Sequence, residues 1–250
     1  MPRSHPPTLI TLVRATLTEH QLLPRGSTVL VAVSGGPDSM ALLHVLARIR
    51  KSFAFGLFAH GVDHGLRLGC AAELDVAEAF ARSLDIPFDR TKILVASGGN
   101  LQARARAARW IALRSAAARV GAGRIATGHH ADDRAETLMM RILRGTGVRG
   151  LAVLPPSDGD RIRPMLRARR SDIDAHLVRH RIPHSTDPSN ADPRFLRTRV
   201  RQDVFPVLER LNPRFVEHMC TLADHAAETR PTTAQAGRGV GAHANNPGHR

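Results

Sequence analysis

Three stretches of the chain carry side chains whose types and spacing could do chemistry. The first, Ser34-Gly35-Gly36-Pro37-Asp38-Ser39, follows the apolar, β-branched run TVLVAV and opens onto MALLHVLARIRK, which is apolar at helical spacing. Two glycines permit backbone conformations and approach distances that a Cβ forbids, and proline suits a first helical turn. Amides freed in such a turn, together with the helix dipole, cradle a phosphate or pyrophosphate, with the Ser34 and Ser39 hydroxyls as further donors. Asp38 is misplaced beside a phosphate unless a divalent cation lies between them, so it reads as a Mg2+-facing residue. Two familiar phosphate loops do not fit: the chain contains no Gly-Lys, and this turn lacks G-x-G-x-x-G. The plainer alternative is a tight strand-to-helix turn whose Asp and Ser cap the helix.

The second stretch, HGVDHGLR at 60 to 67, is expected just after a strand, where His60, His64 and Arg67 would meet phosphate or nucleoside; with Asp63 the same residues could also be read as a metal cluster. Its spacing is not that of a structural zinc site, and no cysteines complete one. A solvated loop is the plainer alternative. The third, TGHHADDRAETLMMRILRGTG at 127 to 147, is denser. Asp133 and Glu136 are three apart and share one face at a helix start. Helix-dipole and capping effects account for part of this, but two histidines and three acids are costly to gather unless a cation, Mg2+ or an ammonium, is bound.

These stretches require a scaffold. Apolar runs at 28 to 33 and 53 to 59 read as buried strands, with FDRTKILV and RIAT as two more; helices are predicted over 71 to 85, 101 to 120, 131 to 144 and 171 to 181. Such alternation predicts an α/β fold, a parallel twisted sheet with helices on both faces, in which ligands sit beyond the carboxyl ends of the strands. A catalytic domain is expected over residues 1–155, a mainly helical basic arm over 156–225, and a disordered tail over 226–250, which is rich in Gly, Pro, Asn and Thr.

The formal net charge of +14 points to a polyanionic partner, nucleic acid first, and all but two of the 36 basic residues are arginine. Arg104, Arg106 and Arg109 fall on one predicted helix, while Arg194, Arg197 and Arg201 fall at i, i+3 and i+7 on another. Each stripe taken singly could be a solvated face. The two cysteines, Cys70 and Cys220, are too far apart in sequence to form a local clip, which with the lack of an export signal or an 18-residue apolar run points to a cytoplasmic, non-membrane protein.

S-G-G-x-D-S in this context resembles the PP-loop of the ATP pyrophosphatase superfamily. With GNLQARARAARW at 99 to 110, TGHHADDRAET at 127 to 137, RGTGVRGL at 144 to 151 and DPSNADPRFLRTRVR at 187 to 201, the resemblance narrows to the tRNA(Ile)-lysidine synthetases. It implies that Ser34, Gly35, Gly36, Pro37, Asp38 and Ser39 bind ATP with Mg2+. It also implies that ATP adenylates the C2 oxygen of the wobble cytidine in the CAU anticodon of an isoleucine tRNA. Free L-lysine then displaces AMP, with Asp38, Asp133 and Glu136 catalytic and the last two holding lysine. Arg106, Arg109, Arg194, Arg197 and Arg201 would grip the tRNA, with a homodimer left open.

The chain departs from the family pattern at Gly61, which lengthens the histidine element, and at Thr198, where Asn is usual. It also has little after residue 225, as in a short-form member or a truncated chain. Two other functions stay open: 2-thiolation of a tRNA cytidine, which usually relies on cysteine pairs or an iron-sulfur cluster, and a non-catalytic RNA-associated nucleotide-binding protein.

Overall fold

β1 (Thr28–Val33) is the centre of the molecule, and its alternation explains the layers. Val29, Val31 and Val33 face a core built with α1 (Leu9–Glu19), α2 (Pro37–Phe53) and α7 (Arg170–His180), whereas Leu30 packs on the other face against Trp110, Leu113 and Ala116 of α4 (Leu101–Arg119). With both faces covered, the strand is apolar almost throughout. The computed structural model describes residues 7–63, 65, 69–95, 98–185 and 194–229. His64, Arg67, the whole DPSNADP segment (187–193) and residues 230–250 lie outside them.

β1 pairs in parallel with β2 (Gly56–Asp63) and β4 (Arg124–Ala126), and β2 with β3 (Phe88–Lys92). β6 (Arg161–Ile162) adds in parallel to β4, and β5 (Ser157–Asp158) closes that edge antiparallel, in the order β3-β2-β1-β4-β6-β5. The parallel α/β sheet expected from the sequence is therefore present, with three differences. The sheet runs past residue 155, the end expected for the first domain, because β6 joins β4 and α7 packs on α2. The second strand starts at Gly56 rather than Phe53, which still belongs to α2. The amphipathic α1, not anticipated, covers α2 and α7.

α3 (Cys70–Ser83) follows β2, and α5 (Ala131–Leu143) follows β4. A helical arm packs on α5: α6 (Val148–Leu151), α8 (Leu196–Arg199), one π-helical turn at Val200–Val204, α9 (Phe205–Leu211) and α10 (Phe215–Glu228). Ala131, Ala135 and Leu138 of α5 share a separate apolar core with Val200, Phe205, Val216 and Ala223 of this arm. The tail expected from residue 226 thus begins inside a helix, since Ala226 is buried in α10.

Candidate active site

The carboxyl ends of β1, β2 and β4 open onto a cleft of about 850 Å3, walled by the first turn of α2, by α4 and by the segment Phe195 to Arg201. The β1–α2 turn is made from backbone. Gly35 has φ +81°, and a Cβ there would stand 2.5 Å from the Glu73 carbonyl oxygen, so conformation and crowding both demand glycine. Gly36 caps α2, Pro37 opens it, and the first-turn amides of Asp38 and Ser39 have no carbonyl within the helix to bond. Ser39 Oγ accepts from the Ser34 amide at 3.1 Å and donates to the Gly36 carbonyl at 2.9 Å. Ser39 is therefore a brace inside the turn rather than the ligand donor the sequence predicts, and the exposed Ser34 hydroxyl is the one able to face a ligand.

Asp38 Oδ1 is buried and accepts no hydrogen bond. The basic groups beside it are Arg170 Nη1 at 3.5 Å and His130 Nε2 at 3.9 Å. Burial pushes this carboxyl above its usual range, against the opposing pull of His130 and Arg170. An orphaned carboxylate oxygen facing a phosphate cradle fits a divalent cation.

The β4–α5 turn meets this one closely. A Cβ on Gly128 would sit 3.0 Å from the Asp38 carbonyl carbon, so bare backbone is needed where the two turns touch. Thr127 continues the β4–β6 pairing through its amide and places Oγ1 2.9 Å from His129 Nδ1. His130, 2% exposed, stands between three acids: Nδ1 is 3.3 Å from Asp132, and Nε2 is 3.5 Å from Asp133 and 3.9 Å from Asp38. Asp132 accepts Arg169 Nε and Nη2 at 3.0 and 2.9 Å and the Arg170 amide at 2.8 Å.

Asp133 and Glu136 are already engaged. Asp133 Oδ2 caps α5 by accepting the His130 amide at 3.1 Å, and its Oδ1 accepts Arg197 Nη2 at 2.6 Å. Glu136, 1% exposed, accepts Arg197 Nε at 2.7 Å and two N–H groups of Arg201 at 2.6 and 3.0 Å. These arginines are four apart and reach the same carboxylates from one face of the arm.

The electrostatics follow from this crowding. Burial alone would lower the His130 pKa, but the carboxylates of Asp132, Asp133 and Asp38 outweigh it and raise the value. His129 has no such surplus: burial, reinforced by Arg163, Arg106 and Arg197, holds it at about 4 against the pull of Asp133, so it is neutral at pH 7. Burial works to raise the Asp133 carboxyl, yet His130 and Arg197 hold it below its ordinary value. Arg109 is held down by burial and by Arg106, and its Nε has no partner.

Residues 11–208 match the PP-loop domain family, whose model is one of ATP-binding domains. The tRNA(Ile)-lysidine synthase of Thermobifida fusca is 39% identical over 225 residues, covering 88% of this chain and 69% of that protein. This chain belongs to the tRNA(Ile)-lysidine synthase family. The Symbiobacterium thermophilum member is 39% identical over 227 residues, which are 86% of this chain and 47% of that protein, so the chain spans about half the length of such relatives. The U34-tRNA thiolase NcsA of Methanococcus maripaludis superposes with a TM-score of 0.74 at 21% identity, over 91% of this chain and 81% of its own, a likeness of fold.

Within this lysidine synthase fold, the glycine-rich turn, Asp133 and the arm arginines line one cleft. Arg109 also lines it, on the buried side of α4, while Arg106 is exposed on the same helix. Arg194 precedes α8, and Arg197 and Arg201 turn inward to the acids, so the three do not form the single helix face expected for RNA. His60 is not beyond the second strand but inside it: it is fully buried, 3.0 Å from Thr91 Oγ1, with Nδ1 unbonded. Arg169 and Arg170 were missed. Two cations at the start of a helix oppose its dipole, and that anomaly in RARRSDID was the available signal that carboxylates await them.

Proposed function

We propose that this chain ligates L-lysine to C2 of the wobble cytidine in the CAU anticodon of an isoleucine tRNA, using ATP and releasing pyrophosphate and AMP. The observation that carries the reading is the meeting, at Gly128 and Asp38, of a backbone phosphate cradle with a histidine-carboxylate cluster, in a chain whose relatives are named tRNA(Ile)-lysidine synthases. The first-turn amides of α2 and the Ser34 hydroxyl hold the pyrophosphate end of ATP. Asp38 would hold Mg2+, which supplies charge neutralisation at the phosphates. The cytidine oxygen attacks the α-phosphorus and pyrophosphate departs; the lysine ε-amine then attacks C2, and AMP leaves with the oxygen.

The second step requires a neutral amine. Asp133, held ionised by His130 and Arg197, is a poor base and acts by charge, orienting the ammonium, whose proton passes to another group. Thiolation is disfavoured by the thiols: burial pushes Cys220 up to about 11, the wrong direction for a sulfur-handling thiolate, and its Sγ is spent on the Ala131 carbonyl.

The test is incubation with ATP, Mg2+, labelled lysine and isoleucine tRNA bearing CAU. Lysine enters the tRNA if the reading is right. No incorporation, beside a family member that does incorporate it, rejects the reading.

A further inference from the structure

Arg197 and Arg201, the arm residues predicted to meet RNA phosphates, are committed to Asp133 and Glu136. Unpaired guanidinium groups stand at the cleft mouth on another element. α5 ends at Leu143, and the turn Arg144-Gly145-Thr146-Gly147 leads into α6. Arg144 lines the cleft one turn after Met140, and Arg149 is exposed on α6. Neither guanidinium has an ion-pair or hydrogen-bond partner among the described residues. Arg141 lies between them and the helix body and donates to the Gly150 carbonyl at 2.6 Å, which fixes the turn.

Cations at the end of α5 are favoured by its dipole, which accounts for Arg141 and Arg144 without any ligand. It does not account for Arg149, nor for Ile142, Leu143 and Val148, which are 44, 57 and 61% exposed beside these arginines. From residue 137 to residue 157 the chain has no Asp or Glu. An ordered surface of unpaired guanidiniums interleaved with bare aliphatic side chains complements a single-stranded RNA loop, whose phosphates need cations and whose unstacked bases need apolar faces. A protein partner with an acidic face would match the charge, but the surface runs directly into the cleft, where the RNA base must go.

We propose that the α5–α6 turn is the surface on which the unpaired loop of the RNA substrate docks as its base enters the cleft. This rests on the lysidine synthase reading.

Arg149→Glu and Val148→Ser alter exposed residues outside the cleft lining. Their binding to a fluorescent RNA hairpin carrying the CAU loop is compared with wild type across a salt series, with melting temperature as the check on folding. Arg149→Glu is expected to weaken binding about tenfold and to lower the salt slope by about 1, and Arg149→Lys to restore the slope. Val148→Ser is expected to weaken binding about threefold with the slope unchanged. Wild-type affinity and slope in both variants overturn the proposal, as does failure of the wild-type protein to bind the hairpin. Loss of self-association in sedimentation, with hairpin binding intact, makes the surface a protein contact and also overturns it. Hairpin binding that responds to these variants while no lysine is incorporated supports this surface and rejects the ligase reading alone.

Discussion

The two turns that touch across the cleft are built on opposite plans. At β1–α2 the donors are backbone amides, the glycines are there for space, and the one carboxylate, Asp38, has an oxygen that accepts nothing. At β4–α5 the work is done by side chains, and each oxygen of Asp133 and Glu136 accepts an N–H. A ligand can enter the first turn by adding bonds. At the second it must share or displace bonds already made, although a carboxylate oxygen has two lone pairs and can accept a second donor. The difference assigns the tasks: the first turn is an open receptor for a large anion, and the second is a preloaded network that discriminates among cations.

Asp38→Ala attacks the open side and has the largest expected effect. ATP–pyrophosphate exchange should fall at least about 100-fold, the scale for removing a charge-stabilising group from a reaction centre. The melting temperature should hold or rise, because a buried carboxylate whose pKa burial has raised is a cost to the fold. A large drop in melting temperature would show that Asp38 is a structural cap, and the contrast between the turns would fail.

Glu136→Gln attacks the preloaded side and should act in the opposite sense, on stability first. It weakens three charge-assisted contacts, but the arginines it serves are about 41% exposed, so water recovers part of the loss. A destabilisation of about 1 to 2 kcal/mol in urea unfolding is expected, with a raised KM for lysine and an unchanged affinity for ATP. Weakened ATP binding with normal lysine dependence would place Glu136 with the first turn instead.

This contrast was only half legible in the sequence. The open turn was readable because its logic is local: a β-branched run, two glycines, a proline at N1 and a helical period all fall within Thr28 to Phe53. The preloaded turn was not, because charge reports sign and never partner. Glu136 and Arg201 lie 65 positions apart, and nothing in either stretch says that they meet. The same holds for β5 and β6, two residues each, which exist by pairing rather than by periodicity. The apolar run at 53 to 59 points to a strand that ends before His60, whereas Phe53 finishes α2 and the pairing of β2 continues to Asp63.

The smallest effect tests whether the two turns move as one body. α2 carries the first turn, and the start of α7 carries the arginines that bind Asp132 and approach Asp38; the two helices are joined by a buried hydrogen bond, His44 Nδ1 to His176 Nε2 at 2.9 Å. Burial holds both imidazoles at about 4, with His180 and Arg48 adding to the effect on His44, and His44, His180 and Arg179 adding to that on His176. A folded-state pKa below the unfolded value near 6.5 means that the unfolded chain takes up protons first. The stabilisation from the neutral pair is therefore whole above pH 6.5 and is lost as pH falls toward 4, at up to about 1.4 kcal/mol per pH unit for each proton. His44→Phe, which can stack on Phe80 as His44 does, should flatten that slope between pH 6.5 and 4. If the helices couple the turns, the wild-type protein also loses ATP affinity over the same interval while the variant does not; equal pH profiles for the two proteins would separate the turns into independent units.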